Sequence, residues 1–285
     1  ELNMSMILVE LYNQDELEVA HQQYIYPYHK EVKHVSKPIT VIEDYLNIGV
    51  RGENFHVKFA KNKGLTSYKI GDEEMIRVMP RPHFFRASTN NDCENQYGYR
   101  YAAWAAASQF ALIQFVKVEK EVNICKVYFD YLLPNLGEEK VHLVYTIYGD
   151  GEVEVNMDYQ ADPNYIEMPA YGMMFQLYKD YDLVNYYGYG PEENYIDRNT
   201  GVVLGRYSYQ VKDNMTPYLY PQECGNRTNV REVEITNSIH SITFTGLFEC
   251  SVLPYTSFEI ENARHHDELP DPYQTVLCMH EKQMG

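Results

Sequence analysis

The chain has little positive charge, few cysteines and almost no tryptophan. Only 24 Lys and Arg stand against 41 Asp and Glu in 285 residues, a formal net charge of −17. A surplus of Lys and Arg draws a protein to nucleic acid or to an anionic membrane, so this deficit argues against both partners. The five cysteines, Cys93, Cys125, Cys224, Cys250 and Cys278, are widely spaced, and no Cys-x-x-Cys occurs. Neither a zinc ribbon nor a redox motif is supported. Small buried thiols in a reducing, cytoplasmic setting are the expectation. There is no long apolar run, internal repeat or low-complexity tract. The first residues lack the charged start and apolar core of a signal peptide. The chain begins at Glu1 rather than Met, which suggests a piece of a longer protein.

Tyrosine is abundant: 28 Tyr against 11 Phe and one Trp. Tyr and β-branched residues suit a pleated, half-wet surface, so the composition points to an all-β protein. The length allows one large β domain with a full core or two ordinary domains. MSMILVEL and ELEVAHQQYIY read as two strands joined at Asn13-Gln14-Asp15. The polar stretch after Pro27, residues 28–37, reads as a linker. From Ile39 onward short strands alternate with turns. Asn62-Lys63-Gly64 and Gly149-Asp150-Gly151 are hairpin signals. VNICKVYFDYLL, KVHLVYTIYGDGEVEVNMDYQ, GMMFQLYKD, VREVEITN and HSITFTGLFEC continue the strand series. Residues 99–116, rich in Ala and free of Gly and Pro, break the period and predict one helix. Trp104 lies in this stretch and is expected in the core.

Three segments carry more charge and glycine than a connector needs. They are residues 81–92 (RPHFFRASTNND), 188–198 (GYGPEENYIDR) and 218–227 (YLYPQECGNR). Each combines an Arg, a carboxylate, an Asn and an aromatic. Planar Arg and carboxylate forks beside an aromatic face suit a polyhydroxylated sugar ring. The alternative is a buried network of ion pairs and hydrogen bonds that fixes long loops. The candidate cluster is Arg86, Asp92, Glu193, Tyr195, Asp197, Arg198, Glu223 and Arg227, expected to converge on one side of the fold. His265-His266-Asp267 is a weak metal candidate, since adjacent histidines rarely converge on one ion.

These segments, in this order, resemble the C-terminal domain of bacterial lacZ-type β-galactosidases. That family carries F-x-R-A-x-x-D-N-D, G-x-G-P-x-E-x-Y-x-D-R and P-x-E-x-G-x-R elements. They appear here from Phe84 to Asp92, from Gly188 to Arg198 and from Pro221 to Arg227, with Asn90 where the family has Asp. The resemblance runs from about Val41 to Gly285. It implies a large antiparallel supersandwich similar to the galactose-mutarotase superfamily over residues 37–285, truncated at its C-terminus. Residues 1–36 would be the closing strands of a preceding small β-sandwich plus a linker.

The resemblance further implies a part of a glycoside hydrolase acting on terminal β-D-galactosides such as lactose. The catalytic carboxylates would belong to a central barrel outside this chain, so no catalytic or metal residue is assigned here. Magnesium and sodium would be held by the parent enzyme's other domains. The partners implied are those domains and a galactoside, within a homo-oligomeric parent. In the family an aromatic platform, a Trp on a loop, would follow Gly285, and Trp104 does not match it. Two other functions stay open: a stand-alone carbohydrate-binding module, and an aldose-epimerase-like enzyme with a His acid and a Glu base.

Overall fold

The computed structural model describes residues 6–27 and 34–285. Strands β1 (Met6–Tyr12) and β2 (Glu18–Ile25) form a two-stranded antiparallel hairpin. Strands β3 (Thr40–Glu43), β4 (Asn47–Arg51), β5 (Phe55–Ala60), β6 (Gly64–Ile70) and β7 (Glu73–Glu74) form a five-stranded sheet in sequential order. After β8 (Val78–His83) come three short helices, α1 (Asn90–Glu94), α2 (Tyr97–Arg100) and α3 (Ala102–Phe110). Strands β9 (Leu112–Lys120), β10 (Ile124–Leu132), β11 (Lys140–Tyr148) and β12 (Val153–Tyr159) make a four-stranded meander. The chain ends in β13 (Ala170–Tyr178), β14 (Leu183–Gly190), β15 (Val203–Gln210), β16 (Asn226–Thr236), β17 (Ser241–Leu253), helix α4 (Ser257–Asn262) and β18 (Gln274–Gln283). Together with β8 these strands build a seven-stranded sheet in the order β15-β14-β16-β17-β18-β13-β8. Every pairing between strands is antiparallel, and the expected all-β supersandwich is the observed architecture.

The alternation of side chains decides how the sheets stack. In β10, Cys125, Val127, Phe129 and Tyr131 are buried while the residues between them are half-exposed. β14 alternates in the same way. This period of two gives each strand one dry and one wet face. The dry faces of all three large sheets meet in one core that includes Val57 and Phe59, Phe129 and Tyr145, and Phe175, Val233 and Val252. β18 lies between β17 and β13, and its first five residues are all buried, as expected for a central strand. Both expected hairpin turns are present, with Gly64 at φ +88° and Gly151 at φ +97°.

Three local readings need correction. The helix expected over residues 99–116 is shorter: α3 stops at Phe110, and residues 112–116 already belong to β9. There Leu112, Ile113, Phe115 and Val116 pair with β10, and cross-strand pairing overrides the helical bias of the preceding alanines. Residues 81–83, grouped with the charged connecting segment, instead end β8, which is an edge strand where the missing N–H of Pro80 and Pro82 is tolerated. Residues 188–190 close β14, where Gly188 faces Gly205 of β15.

The β1–β2 hairpin exposes apolar side chains along its length, including Leu8, Val9, Leu11, Val19 and Tyr24. It is tied to the outer edge of β15 by the Gln23 amide. Gln23 Nε2 donates to Leu204 O (2.9 Å), and Leu204 N donates to Gln23 Oε1 (2.7 Å). A lone hairpin is only marginally stable in water. Residues 1–5 and 28–33, part of the expected closing strands and linker, lie outside the described residues. Trp104 is buried against Phe84 and Tyr159, its indole N–H donating to Ile166 O. The five cysteines are free thiols, and all but Cys93 are buried.

Gly172 sits where β13 passes β18 with no room for a side chain. A Cβ there would stand 1.9 Å from Met279 O and 2.6 Å from His280 Cα. Backbone atoms in mid-sheet cannot yield cheaply, so Gly172→Ala should destabilise the fold by about 2–3 kcal/mol. A lowered urea midpoint at unchanged slope would show it.

Candidate functional site

The first charged segment is organised by a helix cap. Thr89 caps α1 and forms a reciprocal capping box with Asp92, so this Thr and Asp are placed by the start of a five-residue helix. Asp92 Oδ2 accepts from Thr89 N (2.8 Å) and Thr89 Oγ1 (2.9 Å), and also from Arg86 Nη1 (2.7 Å). Burial pushes the Asp92 carboxyl upward, but the bonds from Arg86 and Thr89 outweigh it and hold the group below its ordinary value. Arg86 is 2% exposed. Its other donors reach backbone carbonyls: Nη1 to Ala87 O (2.8 Å), Nε to Met284 O (3.0 Å) and Nη2 to Gly285 O (3.1 Å). The guanidinium also lies over the Tyr97 ring at 5.1 Å. Asn90, the departure from the family element, is exposed and donates its backbone N–H to Gln222 Oε1 (3.3 Å).

The second and third segments are joined by Glu193. One of its oxygens accepts from Arg198 Nη2 (2.6 Å) and the other from Gly225 N (2.6 Å). Gly225 has φ +78°, and a Cβ there would meet Asn214 Nδ2 at 2.6 Å, so glycine is required at this turn. Arg198 lies over the Tyr195 ring, and the Tyr195 hydroxyl donates to Glu223 Oε1 (3.4 Å). Glu223 Oε1 also accepts from Gln283 Nε2 (2.7 Å). Burial pushes the Glu223 carboxyl up to about 7, against the pull of Arg86, Gln283 and Tyr195. Asp197 stands against Gly285, where a Cβ would come within 1.9 Å of Asp197 Oδ1.

Seven of the eight candidate residues therefore gather around the end of β18. Arg227 adjoins them only through Gly225, whose N–H Glu193 holds and whose carbonyl accepts from Arg227. It faces the core, where Nε donates to the Tyr186 hydroxyl (3.1 Å), Nη1 donates to Gly225 O and Asn226 O, and the guanidinium lies over the Tyr186 and Tyr209 rings. Two members were missed from the sequence. Gln283 lies outside all three segments, and only the β18 pairing brings it to Glu223. Asn194 was passed over between two charged neighbours. It is fully buried, with Nδ2 donating to Tyr189 O and Glu192 O and Oδ1 accepting from Thr228. The pattern Asn-Tyr beside Glu was the available signal.

Beside Arg86 and Glu223 lies a cavity of about 10 Å3, also lined by His83, Ser257, Cys278 and His280. It has room for about one water and none for a hexose. His83 Nδ1 contacts His280 Nε2 (3.2 Å), and His83 Nε2 contacts Ser257 Oγ (2.9 Å). Burial, reinforced for His83 by His280 and Arg81, lowers both imidazoles, His280 to about 4. His266 begins a short 3-10 segment on the surface and His265 precedes it, and neither joins a three-ligand group among the described residues.

Residues 51–285 match the family described as beta galactosidase small chain. The chain belongs to this family. It is 36% identical over 279 residues to a beta-galactosidase of Halalkalibacterium halodurans, covering 94% of this chain and 27% of that protein. It is 35% identical over 275 residues to one of Priestia megaterium, covering 94% and 26%. A beta-galactosidase small subunit of Latilactobacillus sakei is 31% identical over 280 residues, covering 85% of this chain and 86% of the subunit. The chain thus spans about a quarter of the length of the first two relatives and most of the third. The resemblance expected from the three segments, to the small-chain-like domain of bacterial β-galactosidases, holds.

Two outcomes follow from the charges. Removing Arg86 (Arg86→Met) leaves Asp92 and three backbone carbonyls, those of Ala87, Met284 and Gly285, short of a donor. The cost should be about 3 kcal/mol, read as a lowered urea midpoint. Glu223 has a folded pKa above its ordinary 4.5, so its stabilising contribution is complete below that value and is lost as pH rises through about 7. The two histidines are shifted the opposite way. Their contribution is present above 6.5 and lost on acidification, so it is flat in the upper range. Between about pH 4.5 and 7 the wild type should lose stability relative to Glu223→Gln, a comparison in which the histidine contributions cancel. Parallel stability curves for the two proteins would show that Glu223 does not titrate there.

Proposed function

We propose that the chain is the non-catalytic, small-chain-like part of a cytoplasmic β-galactosidase, and that its three charged segments support the galactoside site of the assembled enzyme. The observation that carries this reading is the convergence of the three segments on residues 283–285. Arg86 grips Met284 and Gly285, Glu223 holds Gln283, and Asp197 borders Gly285. A network that rigid can present one short stretch of chain and the neighbouring surface in a fixed geometry. Its outward edge is polar: the Arg198 side chain is 60% exposed and held by Glu193. That edge is the part free to meet the rest of the enzyme or its substrate.

The buried members serve as scaffold in this reading. The cavity beside Glu223 and His280 is too small for a sugar, which weighs against an aldose epimerase working from these groups. The exposed apolar β1–β2 hairpin fits closing strands of a neighbouring sandwich domain, as a surface that needs a partner. Hydrolysis of β-galactosides would need a carboxylate pair about 5 Å apart on a catalytic domain.

The purified chain should release no nitrophenol from a nitrophenyl β-galactoside at high protein concentration. Turnover abolished by a single Asp or Glu change in this chain would overturn the reading. In the assembled enzyme, Arg198→Ala should raise KM several-fold with kcat little changed, because a contact made equally in ground and transition states acts on binding. An unchanged KM would leave the network with a structural role only.

A further inference from the structure

A second polar cluster lies away from the charged network, where the chain enters the sandwich. Residues 34–39 run as a strap across two hairpin ends. Val35 N donates to Asp150 Oδ2 (2.9 Å), Asn123 Nδ2 donates to Ser36 Oγ (3.0 Å) and Ile39 N donates to Val122 O (3.0 Å). Gly149 lets the strap lie flat on the turn, since a Cβ there would stand 2.0 Å from Lys37 O. At the start of the strap the His34 ring stacks on Tyr148, with centroids 3.4 Å apart and planes 4° apart. That contact fixes where the ring nitrogens point.

His34 Nδ1 points between two carboxylates, 3.6 Å from Asp150 Oδ2 and 3.6 Å from Glu152 Oε2. The nitrogen is withdrawn from water and has no hydrogen-bond partner among the described residues. A buried polar atom without a partner carries a free-energy cost and calls for a ligand. A direct imidazolium pair does not meet that need, because 3.6 Å is beyond hydrogen-bond contact. It is close to the separation of two ligand atoms on one tetrahedral zinc, about 3.4 Å for bonds of about 2.1 Å. All three candidate ligand atoms lie within 4.8 Å of one another, a small inward movement from a common centre. One imidazole and two carboxylates form a donor set suited to a first-row divalent ion.

We propose that His34, Asp150 and Glu152 bind a zinc-type divalent cation that staples the strap to the β11–β12 turn, with water as the remaining ligand. His34 and Glu152 also line a cleft of about 700 Å3 between the sheets, which gives the ion a path in. The role is structural: the ion would join residue 34 to residues 150 and 152, and its binding free energy would add to the stability of the strap.

The test is equilibrium dialysis of the full chain against zinc, with magnesium as the comparison, followed by thermal unfolding with and without zinc. We expect one zinc per chain, weak magnesium binding and an unfolding midpoint that rises with zinc. His34→Gln and Glu152→Gln should each weaken zinc binding at least tenfold and abolish the rise. Glu152 is substantially exposed, so Glu152→Gln should match the metal-free wild type in midpoint and keep the comparison valid even if His34→Gln folds poorly. Failure to bind one zinc per chain, or equal binding by wild type and Glu152→Gln, would overturn the proposal.

Discussion

A guanidinium almost wholly removed from water constrains everything around it. Arg86 cannot shed its charge, so each donor it buries must find an acceptor. Asp92 supplies the countercharge, and the carbonyls of Ala87, Met284 and Gly285 supply the rest. Those acceptors belong to parts of the chain almost 200 residues apart, so satisfying one side chain fixes the relation between the α1 cap and the end of β18. The cap is fixed in turn because Asp92 serves Thr89 and Arg86 with the same oxygen. Glu223 is then confined between Arg86, Tyr195 and Gln283, where its proton is held more tightly than in water.

The other arginines of the cluster divide the work by depth. Arg227 is an interior post that spreads its charge over two tyrosine rings and two carbonyls beneath β14 and β15. Arg198 stays at the surface, and its pairing with Glu193 ties the second segment to the backbone of the third at Gly225. Charge that is costly to bury is used as internal bracing, and the Arg198 charge remains in water. The His34 strap lies on other elements, against the β11–β12 turn, so it is separate from the bracing at the end of β18.

The alternating pattern of β10 and β11, the hairpin glycines and the abundance of Tyr were enough to read an all-β fold, because a period of two is a local property of the chain. The charged segments were legible for the same reason: Arg, carboxylate and Asn crowded into short stretches are visible without coordinates. The end of α3 was not legible. The alanines favour helix up to Phe110, and only the partner strand β10 makes residues 112–116 extended. Residues 81–83 read as part of a charged connector because nothing local says that β8 continues to His83 as an edge strand.

Sequence alone thus determined the class of fold, the family and the residues that carry unusual charge, since each follows from composition, periodicity or ordered motifs. Only the tertiary structure decided what those residues touch. Arg86 and Gly285, Glu223 and Gln283, and His34 and Glu152 are brought together by strand order and turn geometry across separations of 199, 60 and 118 residues. Arg227 looked equivalent to its neighbours until β16 turned it inward. Strand pairing sets which side of a sheet a residue faces, and a linear motif does not record it.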